Sequence, residues 1–302
     1  RDYYRNLHRA RSTHVELRRN VHRLEKGMSM RPRRPVFAKD YIGETVDFYL
    51  RALDLAERTT DSGIDADELV WAHNVLAHYF EIVDAGDPVV SRELARFTQA
   101  SYEPETSGAR PFARKDSTFS DITYDQLLKL AQQRRSVRWF LETPVPREAI
   151  DKALLVARQS PTACNRLPYE FLVFDDPEQV RTIASIPNGT KGYRHQIPAI
   201  VVVKGDLDAY FSPRDRHAIY VDASLAAMGF MYALEVQGLA SSAINWPDFE
   251  PLEAKMARTL KLKPHERVVM LIAVGYADPE GIIPFSQKKS LDVLRSFNPL
   301  GQ

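Results

Sequence analysis

The chain has 302 residues, 44% of them apolar and 27% charged, the make-up of a globular protein rather than a disordered or fibrous one. Its 41 basic and 40 acidic side chains leave a net charge of +1. A single cysteine, Cys164, excludes an internal disulfide framework and a cysteine-based zinc site, and points to a reducing, cytoplasmic setting. No run approaches eighteen uncharged apolar residues, so no membrane-spanning helix is expected. No signal-peptide pattern opens the chain. Because it starts at Arg1 rather than Met, a targeting segment ahead of it stays compatible with the sequence.

The near-neutral total hides an asymmetry. Residues 1–39 carry 12 Lys/Arg and 3 Asp/Glu, +9, which leaves −8 for the remainder. Such an arm can engage an anionic partner or pack as a solvated helix on an acidic body. Sparse aromatics and the lack of a nucleic-acid motif favour packing. In chain order, Tyr3 to Lys26 reads as a helix, with Gly27 as its C-cap. Met28 to Lys39, with Pro32 and Pro35, reads as a loop. Asp40–Arg58, Asp65–Val83 and Ser91–Gln99 read as three more helices. Residues 101–120, polar and broken by Pro104, Gly108 and Pro111, read as a linker. The expected division is a helical region with its linker over 1–120 and a second domain over 121–302.

An amphipathic run, Tyr124 to Ala131, opens the second part. Pro146–Gln159 reads as a helix with proline in its first turn. Tyr169–Phe174, Ala199–Val203, Leu239–Ile244 and Val268–Val274 read as strands, the second buried on both faces. Asp215–Gln237 reads as a long helix, buried because little charge follows Asp222. Helices alternating with buried strands indicate an α/β or α+β sandwich. Neither a Rossmann nor a P-loop glycine pattern is present.

Four clusters could carry chemistry: Arg134 to Phe140, Ser160 to Phe171, Gly238 to Trp246, and Gln287 to Asp292. The first places three arginines and a serine within five residues at a helix end, where arginine forks suit phosphate oxygens. No spaced His/Asp/Glu set suggests a metal. His73 and His78 are five apart and share a helix face poorly. His195 and His217 read as solvated loop residues.

In this order and spacing the clusters resemble the FMN-dependent nitroreductase family, over roughly residues 122–298. Arg134-Arg135-Ser136-Val137-Arg138-Trp139-Phe140 is similar to its arginine-arginine-serine signature, and Ser160-Pro161-Thr162 to Phe171 to its serine-proline-serine/threonine segment. Pro264-x-Glu266 with Val268 to Tyr276 looks like its last core strand, and Lys288-Lys289-Ser290-Leu291 like its closing element. The resemblance implies an α+β fold, a three-layer α/β/α sandwich around a mostly antiparallel sheet, preceded here by the helical region. It implies a homodimer with FMN at the interface. Arg134 and Lys288 would meet the phosphate, with Lys289, Arg135 and Ser136 nearby. Arg138 would face the ribityl chain and pyrimidine edge, where a positive charge stabilises reduced flavin. Asn165 would pair with that edge through its amide. Asn245 and Trp246 would lie by flavin N5, and Pro161 and Thr162 would come from the other subunit. No side chain need act as acid or base.

Leu167 stands where the family has glutamine, Tyr169 where it has tryptophan, and Ser290 where it has proline. Trp246 replaces a common glycine and would cap the flavin face. Cys164 reads as packing rather than redox. His22 to Met30 resembles a segment in a subgroup with a helical extension. The leading expectation is ping-pong transfer from NADH or NADPH to a small organic acceptor. The alternatives are a dehydrogenase of the same fold acting without nicotinamide, on a peptide or biosynthetic intermediate, and a non-catalytic binding protein.

Overall fold

A computed structural model describes residues 15–58 and 64–299. The expected helix over Tyr3 to Lys26 therefore lies partly outside the described residues, as does much of the basic arm. Four helices come first: α1 (Val15–Met28), α2 (Ile42–Arg58), α3 (Ala66–Ile82) and α4 (Pro88–Thr98). Asp65 caps α3 by accepting from the amide of Asp67, and Asp87 caps α4 by accepting from those of Val89 and Val90. These helices bury a core of their own around Leu24, Val46, Tyr49, Leu76, Tyr79 and Phe97. Within it the hydroxyl of Tyr49 bonds His73, whose burial holds its pKa below the usual histidine range.

Gly27 is not the cap expected of it, because α1 continues through it to Met28. Its role is close approach. A Cβ at this position would lie 2.4 Å from the ring of Phe37, which packs edge-on against Tyr79.

The second part is built on four antiparallel strands: β1 (Tyr169–Phe174), β2 (Ala199–Asp206), β3 (Ala240–Asn245) and β4 (Glu266–Gly275), in the order β1-β2-β4-β3. Strand β2 alternates between two cores. Ala199, Val201 and Val203 pack under α6 (Arg147–Ala157) and α8 (Ala218–Val236). Ile200 and Val202 pack against α7 (Pro177–Ala184) and α9 (Glu250–Leu260) on the other face. The fold is thus the expected α+β sandwich of three layers. Helices α7 and α9 were not anticipated. The start of α7 is an Asp176-Pro177 cap, the same device that starts α4. Helix α5 (Tyr124–Gln133) opens with a capping box between Thr123 and Gln126, and α10 (Leu291–Leu294) lies in the extended C-terminal arm.

Helix α8 departs from expectation in two ways. With its leading turn, Pro213–Val236, it is long and apolar enough to cross a membrane, though half of its most apolar stretch is buried in the protein. It is also not buried all round, since Tyr220, Val221 and Leu225 are exposed. It packs against α6 and the sheet as a core helix.

Like Glu93 of α4, Glu68 of α3 is a buried acid of the helical part. Its side chain is 4% exposed and lies 3.4 Å from the guanidinium of Arg18. Burial pushes its carboxyl up to about 8, with Arg18 opposing the rise only in part. The folded pKa exceeds the unfolded value of 4.5, so the stability it contributes is present in acid and is lost as pH rises through about 8. Thermal midpoints across this range should fall more steeply in the wild type than in Glu68→Gln; parallel curves would contradict the assignment.

Candidate functional site

The arginine stretch begins where α5 ends. The amide of Arg134 donates to Leu130 O at 3.0 Å, and its ψ of 117° turns the chain into an extended conformation. The following residues run along the outer side of β3. Ser136 forms a parallel bridge with Ser241, Val137 N donates to Ser241 O at 3.1 Å, and Leu141 N donates to Tyr276 O at 2.9 Å. Beside this bridge two buried polar atoms, Nε of Arg134 and Oγ of Ser241, lack a hydrogen-bond partner among the described residues. An unpaired buried guanidinium nitrogen is costly, and an anion would satisfy it.

Arg135 donates to the carbonyls of Pro284 and Phe285, which ties down the arm that carries Lys288 and Lys289. Both lysines are exposed. The guanidinium of Arg138 stands 6.0 Å from the ring centre of Tyr193, and its carbonyl accepts from Gln196 Nε2 at 2.8 Å. Burial raises the Tyr193 phenol above the usual tyrosine range. Asn245 closes β3 and is exposed. Trp246 is packed in the core, with its indole N–H on Glu253, so its ring is not free to lie over a ligand.

The second cluster is the loop from Ser160 to Pro168. Three of its non-glycine residues have left-handed backbone: Cys164 (φ 58°), Asn165 (φ 52°) and Leu167 (φ 48°). Leu167 N donates to Thr162 Oγ1 at 3.1 Å, and Asn165 N to Thr162 O at 3.0 Å. Asp222 of α8 holds the loop from below. Its Oδ2 accepts from Ala163 N at 3.0 Å and from the Tyr210 hydroxyl at 2.8 Å. Pro161 is exposed and Thr162 half-buried.

Helix α8 measures the separation of the two clusters. Gln133, next to Arg134, bonds Glu235 near its C-terminal end, whereas Ala163 bonds Asp222 near its start. At 1.5 Å per residue those anchor points are about 20 Å apart. The clusters also attach to opposite edges of the sheet. The first lies outside β3, while the second leads into β1. Within the chain, Arg134, Ser136 and Arg138 therefore share one edge with Asn245 and the lysine arm, while Pro161, Thr162 and Asn165 lie apart from them.

Several residues of consequence were not singled out from sequence. Asp222 offered one signal, a lone acid in an apolar helical run. Arg18, whose Nε donates to Asn165 O at 2.8 Å, offered none, because the contact joins residues 147 positions apart. Asp206, Asp208 and His265 also gather, with ligand-type atoms within 4.8 Å of one another. His265 lies 3.9 Å from Asp206 and 3.5 Å from Asp208, a cluster at the end of β2.

Asp222 is buried and satisfies two donors, so Asp222→Ala leaves both unpaired. Urea unfolding should show a loss of about 2–4 kcal/mol. A loss below about 0.5 kcal/mol would mean that other groups hold the loop.

Sequence and fold comparisons identify relatives. The family profile described as "Nitroreductase family" matches residues 131–190 and 187–276. The iodotyrosine deiodinase of Thermotoga neapolitana is 27% identical over 178 residues, covering 50% of this chain and 89% of that protein. Human iodotyrosine deiodinase 1 is 24% identical over 196 residues, 55% of this chain; the chain spans 66% of that relative's length, just under two thirds. A solved Bacteroides thetaiotaomicron structure, of a protein proposed to be an NADH dehydrogenase/NAD(P)H nitroreductase, superposes with a TM-score of 0.51 at 24% identity. It covers 58% of this chain and 99% of its own, a likeness of fold. The profile match over residues 131–276 and the shared fold make the α/β part of this chain similar to the nitroreductase family.

Proposed function

We propose that the chain is an oxidoreductase that holds FMN and passes reducing equivalents from NADH or NADPH to a small organic acceptor. The observation that carries this reading is the buried, unpartnered Nε of Arg134 beside the Ser136–Ser241 bridge. A phosphate is the group whose geometry suits an arginine fork there. Lys288 and Lys289, on the arm that Arg135 ties down, add positive charge at the same edge. Arg138, set against Tyr193, supplies the charge that favours the reduced form. Bound FMN would supply the hydride chemistry; the chain supplies binding, orientation and charge. The lone cysteine fits a reducing, cytoplasmic setting.

The reading includes a homodimer. One protomer presents two separated half-sites, and pairing lets Pro161, Thr162 and Asn165 of one copy face the arginine edge of the other. Exposed apolar side chains support such a pair: Leu127 and Leu128 on α5, Leu155 and Val156 on α6, and Val221 and Leu225 on α8. The names of the Thermotoga neapolitana and human relatives make a halogenated tyrosine the first acceptor to try beside nitroaromatics. The departure at Leu167 keeps a second reading, a dehydrogenase of a peptide or biosynthetic intermediate that takes no electrons from nicotinamide.

The purified protein should show the visible absorption of oxidised flavin, or take it up from added FMN. Arg134→Ala should weaken FMN retention about 10-fold or more, the loss of one charge-assisted hydrogen bond. A chain that never takes up FMN leaves only the binding-protein reading. Rapid bleaching by NADH or NADPH in stopped flow would exclude the nicotinamide-free alternative.

Light scattering on a sizing column should give twice the chain mass. Leu225→Asp should give monomers that release FMN, whereas a wild-type monomer that retains FMN would overturn the shared site.

A further inference from the structure

We propose that Arg18 of α1 is a positioning residue for the loop from Thr162 to Leu167, so that the helical extension sets the affinity of the cofactor site. This rests on the flavin reading above for the identity of the ligand. The contact itself does not depend on it.

The loop is an unusual conformation to hold. Three non-glycine residues within four positions are left-handed, and such residues persist only where their surroundings over-determine them. From within the α/β part, Thr162 and Asp222 fix three of the loop amides. The carbonyl of Asn165 is served from outside that part, by Nε of Arg18 at 2.8 Å.

Arg18 is itself held. Its guanidinium lies 3.4 Å from Glu68 and 5.2 Å from the ring centre of Trp71, whose indole N–H donates to Glu25 at 3.0 Å. It is only 16% exposed, so the bond to Asn165 works in a poorly hydrated place where such bonds are strong.

A second contact acts on the same loop. Val15, one turn earlier on α1, packs in a cluster with Tyr210 and Ile219. The Tyr210 hydroxyl bonds Asp222, and Asp222 bonds the amide of Ala163. Helix α1 therefore reaches the loop directly at Asn165 and indirectly at Ala163. The two routes join the loop's conformation to the seat of α1.

The test uses the full chain and Arg18→Lys, which keeps a cation beside Glu68 but removes the Nε–H that reaches Asn165. Amide hydrogen exchange at Ala163, Asn165 and Leu167 is measured in FMN-free protein, and FMN affinity by quenching of its fluorescence. Arg18→Lys should keep the thermal midpoint, speed exchange at these amides about 10-fold, and weaken FMN binding by a similar factor. If the lysine variant loses stability, Arg18→Gln with Glu68→Gln, uncharged at both positions, takes its place. Wild-type exchange rates in whichever variant keeps its stability would overturn the proposal, and so would faster exchange with unchanged FMN affinity. If wild-type protein binds no FMN, the flavin reading fails by itself. Exchange alone then decides whether Arg18 holds the loop.

Discussion

Strand β2 has no face toward solvent, and the architecture of the α/β part follows from that constraint. Its side chains alternate between two apolar cores, so helices must cover both sides of the sheet. The layer of α6 and α8 and the layer of α7 and α9 meet this need. Once β2 and β4 occupy the centre, the segments with unusual polar chemistry are left at the two edges. The arginine stretch adds to the β3 side, and the strained loop enters at β1. The division of the candidate site into two parts is thus a consequence of burying the middle of the sheet.

Much of this was legible in the sequence because it depends on local patterns. The run Ala199 to Val203 has only apolar residues, which marks a strand covered on both faces, and the structure places it there. The helices over Asp40–Arg58 and Asp65–Val83 were legible from periodicity and an acidic start. Helix α7 was missed although Asp176-Pro177 announces it, because eight residues give too few turns for a periodic signal. Gly27 was misread for a different reason. A glycine near a helix end suggests a cap, whereas the demand here comes from Phe37, ten residues on and across a loop. Trp246 was expected over a ligand and is instead held by Glu253 on α9, a helix the sequence reading lacked.

The contacts between the two parts of the chain were the least legible. Arg18 and Asn165 are far apart in sequence, and neither has a pattern that names the other. The same holds for Tyr210 and Asp222, whose pairing depends on how the turn after β2 folds back over α8. These contacts explain why α1 is amphipathic in an unusual way. Beyond packing on α3, it carries an arginine that faces Glu68 on one side and donates from Nε to Asn165 on the other.

If the chain pairs as proposed, the separation of the two clusters along α8 has a genetic consequence. In a pair whose sites are each assembled from both copies, damage at the arginine edge and damage at the left-handed loop strike different contributions of a chain. A cell that makes one chain broken at each place would form mixed pairs in which both lesions fall on the same site and the other site is whole. Two alleles without activity alone would then complement one another, each mixed pair keeping about half the activity of an undamaged pair.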